Sequence, residues 1–485
     1  MSTNPTPTKS AAKWSLIVTT LLLLAITYPL ILTNNQSGRG AADDLIYHWP
    51  TIQTFAQQLP TPDLSNYQSA TTPAYHLELA VLHRIGLPRT AIQLYANLWT
   101  VLLLGLLAYR AGKSFGKPGL LITLPLLTSM YVLFPAIWLL PDNAGWLAVL
   151  LILILALDYP YSTKTALTAG IVLAFLVLIR QVHIWAAAIL WITAWIGTNQ
   201  QTPTLTPTKL FSDPITRTRR LILALIATIP ATLFLLYFLR LWGGLVPPAF
   251  QDRHQGPNLA TPAFILTQIT ILSIFFTPLL LPQLKTILKS HRTWIIAALT
   301  TGLILAIIPQ STYSVEAGRY SGWWNIINKL PTIADRSPII LLGAPAGALA
   351  CIIWASLITR RDTWIFATTL AAFTAAQTAN HASWQRYHEP LLLILIILIL
   401  TRAPLAIQHP KRTILGSAAL AALLAAITIP TLLNAKPAIM PMPTTNSSSP
   451  SSPSSPSFYS PPPLPPLPPS SHSSSLSHSD GRGPG

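Results

Sequence analysis

Thirteen apolar stretches joined by polar connections set the terms on which this chain can fold. They occupy residues 14–33, 91–109, 118–140, 143–157, 165–179, 183–197 and 221–240, then 262–284, 293–309, 338–359, 363–379, 389–407 and 413–433. A helix needs about 20 apolar residues to cross some 30 Å of hydrocarbon. The expected fold is therefore an all-α polytopic membrane protein with about 11 to 14 transmembrane helices. The pair 165–179 and 183–197 reads either as two short spans or as one broken, re-entrant element. Composition agrees. Only 9% of the 485 residues are charged, too few to cover the surface of a soluble protein of this size; roughly a quarter is usual. A single cysteine excludes a disulfide framework and any Cys-rich zinc site.

The first stretch is too long for a cleaved signal sequence and lacks a small-residue cleavage site. It reads as a first span behind a cytoplasmic tail, 1–13. One membrane domain is expected over 14–434, with 34–90 as its first extracytoplasmic loop. From 435 to 485 the chain is rich in Pro and Ser, with 14 of the 45 prolines in 437–485, and reads as a disordered tail.

Lys and Arg orient the chain. With the N-terminus inside and the spans alternating, the inside connections hold 18 of the 30 basic residues, among them Arg110, Arg361 and Arg402. Only Asp158, Asp213 and Asp362 of the 13 acids fall there. The +17 net charge is thus mostly a matter of topology. Nucleic acid is not an expected partner, because that needs basic residues gathered on one face. The outside loops 34–90, 241–261, 310–337 and 381–388 are longer and mix acids, histidines, arginines and aromatics. Function concentrates in such loops. The working face is expected outside, lumenal in an ER membrane or periplasmic in a bacterial plasma membrane.

Five places carry chemistry. Asp43-Asp44-Leu45-Ile46-Tyr47-His48-Trp49-Pro50 sets two adjacent carboxylates just beyond a span, where mutual repulsion raises the pKa of one. In a helix, Asp44 and His48 share a face, fit to deprotonate a hydroxyl; the plainer reading makes Asp43 an N-cap. Arg180, Gln181 and His183 interrupt an apolar stretch. A charge at that depth is a functional candidate by default, unless Arg180 snorkels to the interface. Asp252-Arg253-His254, Glu316-Ala317-Gly318-Arg319-Tyr320 and Arg386-Tyr387-His388-Glu389 bring further cations to the same level. Arginine matches phosphate through a planar fork and stays charged. Trp323 and Trp324 read as interfacial belt residues or as a sugar-stacking platform.

Acids, arginines and histidines at an outer membrane boundary suit sugar transfer from a polyprenyl phosphate. Arginines neutralise the departing phosphate and a carboxylate takes the proton of the attacking hydroxyl. Asp44 or Asp43 is the expected base, with His48 beside it. Arg180, Arg319, Arg386 and His254 are the expected phosphate contacts. No cofactor and no obligatory metal are expected, since cationic side chains supply the charge. A transporter or lipid flippase is the competing class; it calls for internal repeats and a midplane site, and the sequence shows neither.

The same residues resemble a known family, the GT-C membrane glycosyltransferases, and within it the dolichyl-phosphate-glucose-dependent alpha-1,2-glucosyltransferases. The resemblance rests on the acidic pair with Tyr47, His48 and Pro50, on Thr71-Thr72-Pro73-Ala74-Tyr75, and on Arg180-Gln181 followed by Ile184-Trp185. It continues through Gly243-Gly244-Leu245-Val246 with His254, then Arg319-Tyr320, then Arg386-Tyr387 with Glu389-Pro390. It implies a GT-C-type multi-helix bundle with extracytoplasmic loops forming the site. It also implies inverting transfer of a hexose, glucose in an alpha-1,2 linkage, from dolichyl or polyprenyl phosphate to a lipid-linked glycan. Thr72, Tyr75, Gln181, Tyr320, Tyr387 and Glu389 join the substrate-binding residues on that resemblance.

Overall fold

The computed structural model describes residues 9–197, 214–254, 256–290, 292–311, 322–327 and 329–433. Among them every regular element is helical. α1 (Lys9–Leu32) leads into a short α2 (Gly38–Asp43), which passes through one π turn, Asp44–His48, into α3 (Trp49–Gln58). α4 (Ala74–Arg84), α5 (Arg89–Phe115), α6 (Gly119–Thr128), α7 (Met130–Ile137), α8 (Asp142–Asp158) and α9 (Thr163–Ile179) follow. A 3-10 turn, Gln181–Ala186, precedes α10 (Ala187–Ile196), then α11 (Pro214–Trp242) and the single-turn α12 (Gln251–His254). Next come α13 (Thr261–Ile274), α14 (Thr277–Ser290), α15 (Arg292–Ile307) and α16 (Trp323–Ile327). α17 (Pro338–Ser356), α18 (Arg360–Thr378), α19 (Gln385–Arg402), α20 (Pro404–Gln408) and α21 (Pro410–Leu433) complete the described chain.

Each of the thirteen apolar stretches lies mostly in helix. Among the described residues, five helices (α1, α5, α11, α17 and α21) are long and apolar enough to cross a membrane alone, and up to seven spans result if each bent pair counts as one. The others are shorter or less apolar, so the expected 11 to 14 spans stand here as a multi-pass helical architecture. Two stretches expected to run straight do not. Segment 118–140 bends by 73° between α6 and α7, and 262–284 by 111° between α13 and α14. At the first break Ser129 is extended and its hydroxyl accepts the Tyr131 N–H, capping α7. At the second, Pro278 has no N–H to carry the ladder of α13 onward. The pair 165–179 and 183–197 forms two helices, α9 and α10, parted by Arg180 in an extended conformation (φ −148°, ψ 102°).

Burial sorts the helices into layers. α8 and α19 are buried along almost their whole length. α1 and α11 are as apolar but only 28% of each span window is buried, leaving Leu21, Leu233 and Leu236 exposed. An apolar helix with an exposed circumference is one that faces lipid. α9 packs on α11, α1 on α5, and α13 and α15 on α17. The two central helices matter most for the site, because α8 starts at Asp142 and α19 carries Arg386 in its first turn.

The described ion pairs fall into two groups. Arg110, Arg361 and Arg402 pair with Asp158 and Asp362. Arg386, Arg89 and Arg180 pair with Asp43, Asp44 and Asp142. None of these pairs joins a residue assigned inside to one assigned outside.

Small residues permit the closest helix contacts, as is usual in membrane bundles. A Cβ on Gly347 of α17 would overlap the Leu266 carbonyl of α13, which is backbone and cannot swing away. Gly347→Val is expected to lower stability by about 3 kcal/mol, seen as an earlier thermal transition in detergent. Gly105→Ala, whose Cβ would meet only the Leu16 side chain at 3.8 Å, should be near neutral. Equal melting of the two variants would refute this account of the α13–α17 contact.

Candidate functional site

The acidic pair sits where α2 gives way to the π turn, and its two carboxylates diverge. Asp43 accepts from Arg386 Nη1 at 2.6 Å, whereas Asp44 accepts from Arg89 Nη2 at 2.6 Å. Two expectations change here. Asp44 does not pair with His48, because its carboxylate is taken by Arg89 while the imidazole is taken by His76. Burial, not repulsion between neighbours, pushes the Asp44 carboxyl up from its ordinary value, against the opposing pull of Arg89. Asp43 makes no side-chain cap at the start of the turn, so the N-cap reading is not what holds it.

His48 turns to His76 of α4, Nδ1 to Nε2 at 2.9 Å, with the rings nearly parallel. Both are buried, and burial lowers His48 to about 4 and His76 well below the ordinary histidine value. Both rings are therefore neutral at pH 7. The unfolded chain protonates them near the ordinary 6.5, while folded His48 resists until about 4. Their contribution to stability is full above about 6.5 and is lost as pH falls toward 4. The melting temperature should decline across that window, and more gently in His48→Asn/His76→Asn. An unchanged slope in the double variant would assign the acid sensitivity to other groups.

Arg180 and Arg386 converge on one ring. Arg180 lies over Tyr387 at 5.5 Å to the centroid and Arg386 at 5.2 Å, with Trp384 also 5.4 Å from Arg386. Each guanidinium uses Nη1 on one acid, Arg180 on Asp142 and Arg386 on Asp43. The Nε atom of each is buried and has no hydrogen-bond partner among the described residues. His48 feels the charges of Asp43, Asp142, Arg386 and Arg180, which places it in the same cluster. Two cations, two carboxylates and a neutral imidazole thus meet at the start of α8 and α19, with two N–H donors to spare. Chemically this is a place for an anion, next to a carboxylate able to accept a proton.

The remaining expected residues divide. Gln181 is fully used as a fastener: its oxygen accepts Thr72 N–H at 3.0 Å, and its amide donates to the carbonyls of Ala70 and Leu245 at 2.8 Å each. Thr72 donates to the Val177 carbonyl at 2.6 Å. These two hold loop 59–73 against the end of α9. Tyr75 is buried edge-on to His76 with a hydroxyl that has no partner among the described residues. Glu389 accepts from Ser129 Oγ at 2.6 Å and from Gln385, tying α19 to the start of α7. His254 ends α12, while its side chain, together with Arg319 and Tyr320, lies outside the described residues.

Sequence reasoning did not single out Asp142, Arg89 or His76. Asp142 left a signal, an acid heading a run of apolar residues after Leu139-Leu140-Pro141. Arg89 and His76 left none, since nothing local tells which acid or ring they meet. No family model, curated protein or solved structure matches this chain.

Proposed function

We propose that this chain is a membrane glycosyltransferase that moves a hexose from a polyprenyl-phosphate donor to a lipid-linked glycan. The observation that carries the reading is the pair of buried, unpartnered Nε–H donors of Arg180 and Arg386 flanking Tyr387, with Asp43 and Asp142 beside them. Buried polar groups without partners are rare and call for an explanation; a phosphate oxygen satisfies both. In the reaction the acceptor oxygen bonds to C1 of the sugar from the face opposite the phosphate. The C1–O bond breaks with its electron pair going to the phosphate, whose charge the two arginines balance. The acceptor proton passes to a carboxylate. Asp43 is the better base, since it shares the arginine cluster, whereas Asp44 is fully buried against Arg89. The resemblance to the GT-C alpha-1,2-glucosyltransferases supports glucose as the sugar, a GT-C bundle, and a site facing the lumen or periplasm with the N-terminus cytoplasmic.

The test is to incubate the purified protein, in phosphatidylcholine nanodiscs, with radiolabelled dolichyl-phosphate-glucose and a lipid-linked oligosaccharide. Label appearing in the oligosaccharide supports the reading. In vesicles, passage of intact lipid-linked sugar between leaflets with no new glycosidic bond would replace it with the flippase.

A further inference from the structure

One helical turn along from the ion pairs lies a second layer, built of aromatic rings. Trp146 sits four residues into α8 beyond Asp142, His183 three beyond Arg180, and His388 two beyond Arg386. Trp146, His183, Trp185 and Phe373 of α18 form a closed circuit in which each ring touches the next. The centroids are 4.8 Å apart for Trp146–His183, 5.9 Å for His183–Trp185, 5.4 Å for Trp185–Phe373 and 6.3 Å for Phe373–Trp146. His388 joins through Phe373 at 5.9 Å.

This layer is buried, yet its nitrogens are not paired. Trp146 Nε1, Trp185 Nε1, both nitrogens of His183 and Nε2 of His388 have no hydrogen-bond partner among the described residues. The four residues are at most 6% exposed. The Gln268 amide nitrogen lies 3.0 Å from His388 Nδ1, so Nδ1 accepts and Nε2 carries a proton with nowhere to give it. A buried donor left unmade costs roughly 1–3 kcal/mol. Four such donors and one unmet acceptor on neighbouring rings are not a stable way to fill a core with apolar bulk, which Phe would do without the cost. Aromatic faces edged with N–H groups suit a ligand that is apolar on its ring faces and hydroxylated on its rim.

We infer that this aromatic layer binds the sugar ring, its nitrogens meeting the hydroxyls while the arginine layer above holds the phosphate. The inference rests on the transferase reading for the carrier of the sugar, but not for the sugar itself. The first probe is therefore a free methyl glucoside, added to the full chain in phosphatidylcholine nanodiscs and read by saturation-transfer NMR. Wild type should transfer saturation to the ring protons. Trp146→Phe/Trp185→Phe keeps the rings and removes two N–H groups, and should weaken glucoside binding about tenfold. The same double variant should lose a similar factor for dolichyl-phosphate-glucose while binding dolichyl phosphate as wild type does. Its ligand-free melting temperature should be unchanged or higher, because two unmade donors are gone; a merely structural role would lower it. No saturation of the glucoside in wild type, or equal loss for both lipids in the variant, would overturn the inference. Glucoside binding without any transfer would sink the transferase reading and leave the sugar site standing.

Discussion

Asp43→Asn is expected to cut sugar transfer about a thousandfold while leaving the protein folded in the membrane. Asparagine keeps an oxygen for Arg386 Nη1, now 2.6 Å from the carboxylate, but it cannot take the acceptor proton. Asp44→Asn should behave differently. Asp44 is fully buried and spends its charge on Arg89, so its loss leaves a partly buried cation without its anion. The expected result is a lower melting temperature with transfer reduced only in proportion to the folded fraction. Measuring both variants for transfer and for thermal unfolding separates the two acids. A fully active Asp43→Asn beside an inactive but folded Asp44→Asn would exchange their roles. Full activity in both would remove the acidic pair from the chemistry altogether.

Arg180→Met carries the second large effect. Asp142 is buried at the head of α8 and Arg180 is its ion-pair partner, each about nine-tenths covered. Removing one member of a buried pair strands the other, at a cost of about 3–5 kcal/mol. Adding Asp142→Leu should restore most of that stability, because a buried pair replaced by apolar groups of similar volume is often neutral. Donor binding should not return with it. The double variant lacks the Nε–H that the phosphate would use, so transfer should stay down at least a hundredfold. Recovery of stability and transfer together would mean that Arg180 serves the fold alone. The same reasoning explains why Gln181 is a poor target for testing donor contact. All of its polar atoms already hold loop 59–73 to α9, so Gln181→Ala would read out as lost folding.

The helical stretches were legible because a run of about 20 apolar residues has few other fates than a bilayer-length helix. The described ion pairs also keep Arg110 and Arg402 with Asp158, apart from Arg386 and Arg180 with Asp43 and Asp142. The bends after Thr128 and Ile274 were not anticipated, although Pro278 and the polar Ser129 mark their positions. Apolar continuity counts residues and says nothing about direction.

Within the cluster, the sequence singled out Asp43, His48, Arg180 and Arg386 by their polar chemistry beside apolar spans, and Tyr387 only through the family resemblance. Its pairing of Asp44 with His48 failed because Arg89 of α5 takes the carboxylate and His76 of α4 takes the ring. Arg180 meeting Asp142, and Arg386 meeting Asp43 across 343 positions, depend on which helices become neighbours. By itself, then, the sequence determined a multi-pass helical chain and picked out several of the polar residues that the fold gathers. Apolar run length and charge asymmetry are local quantities, readable in order. Only the tertiary structure decided the partners, the spare N–H donors and the aromatic layer beneath them. Those depend on burial and distance, which arise when α8 and α19 come to the centre of the bundle and bring their first turns together.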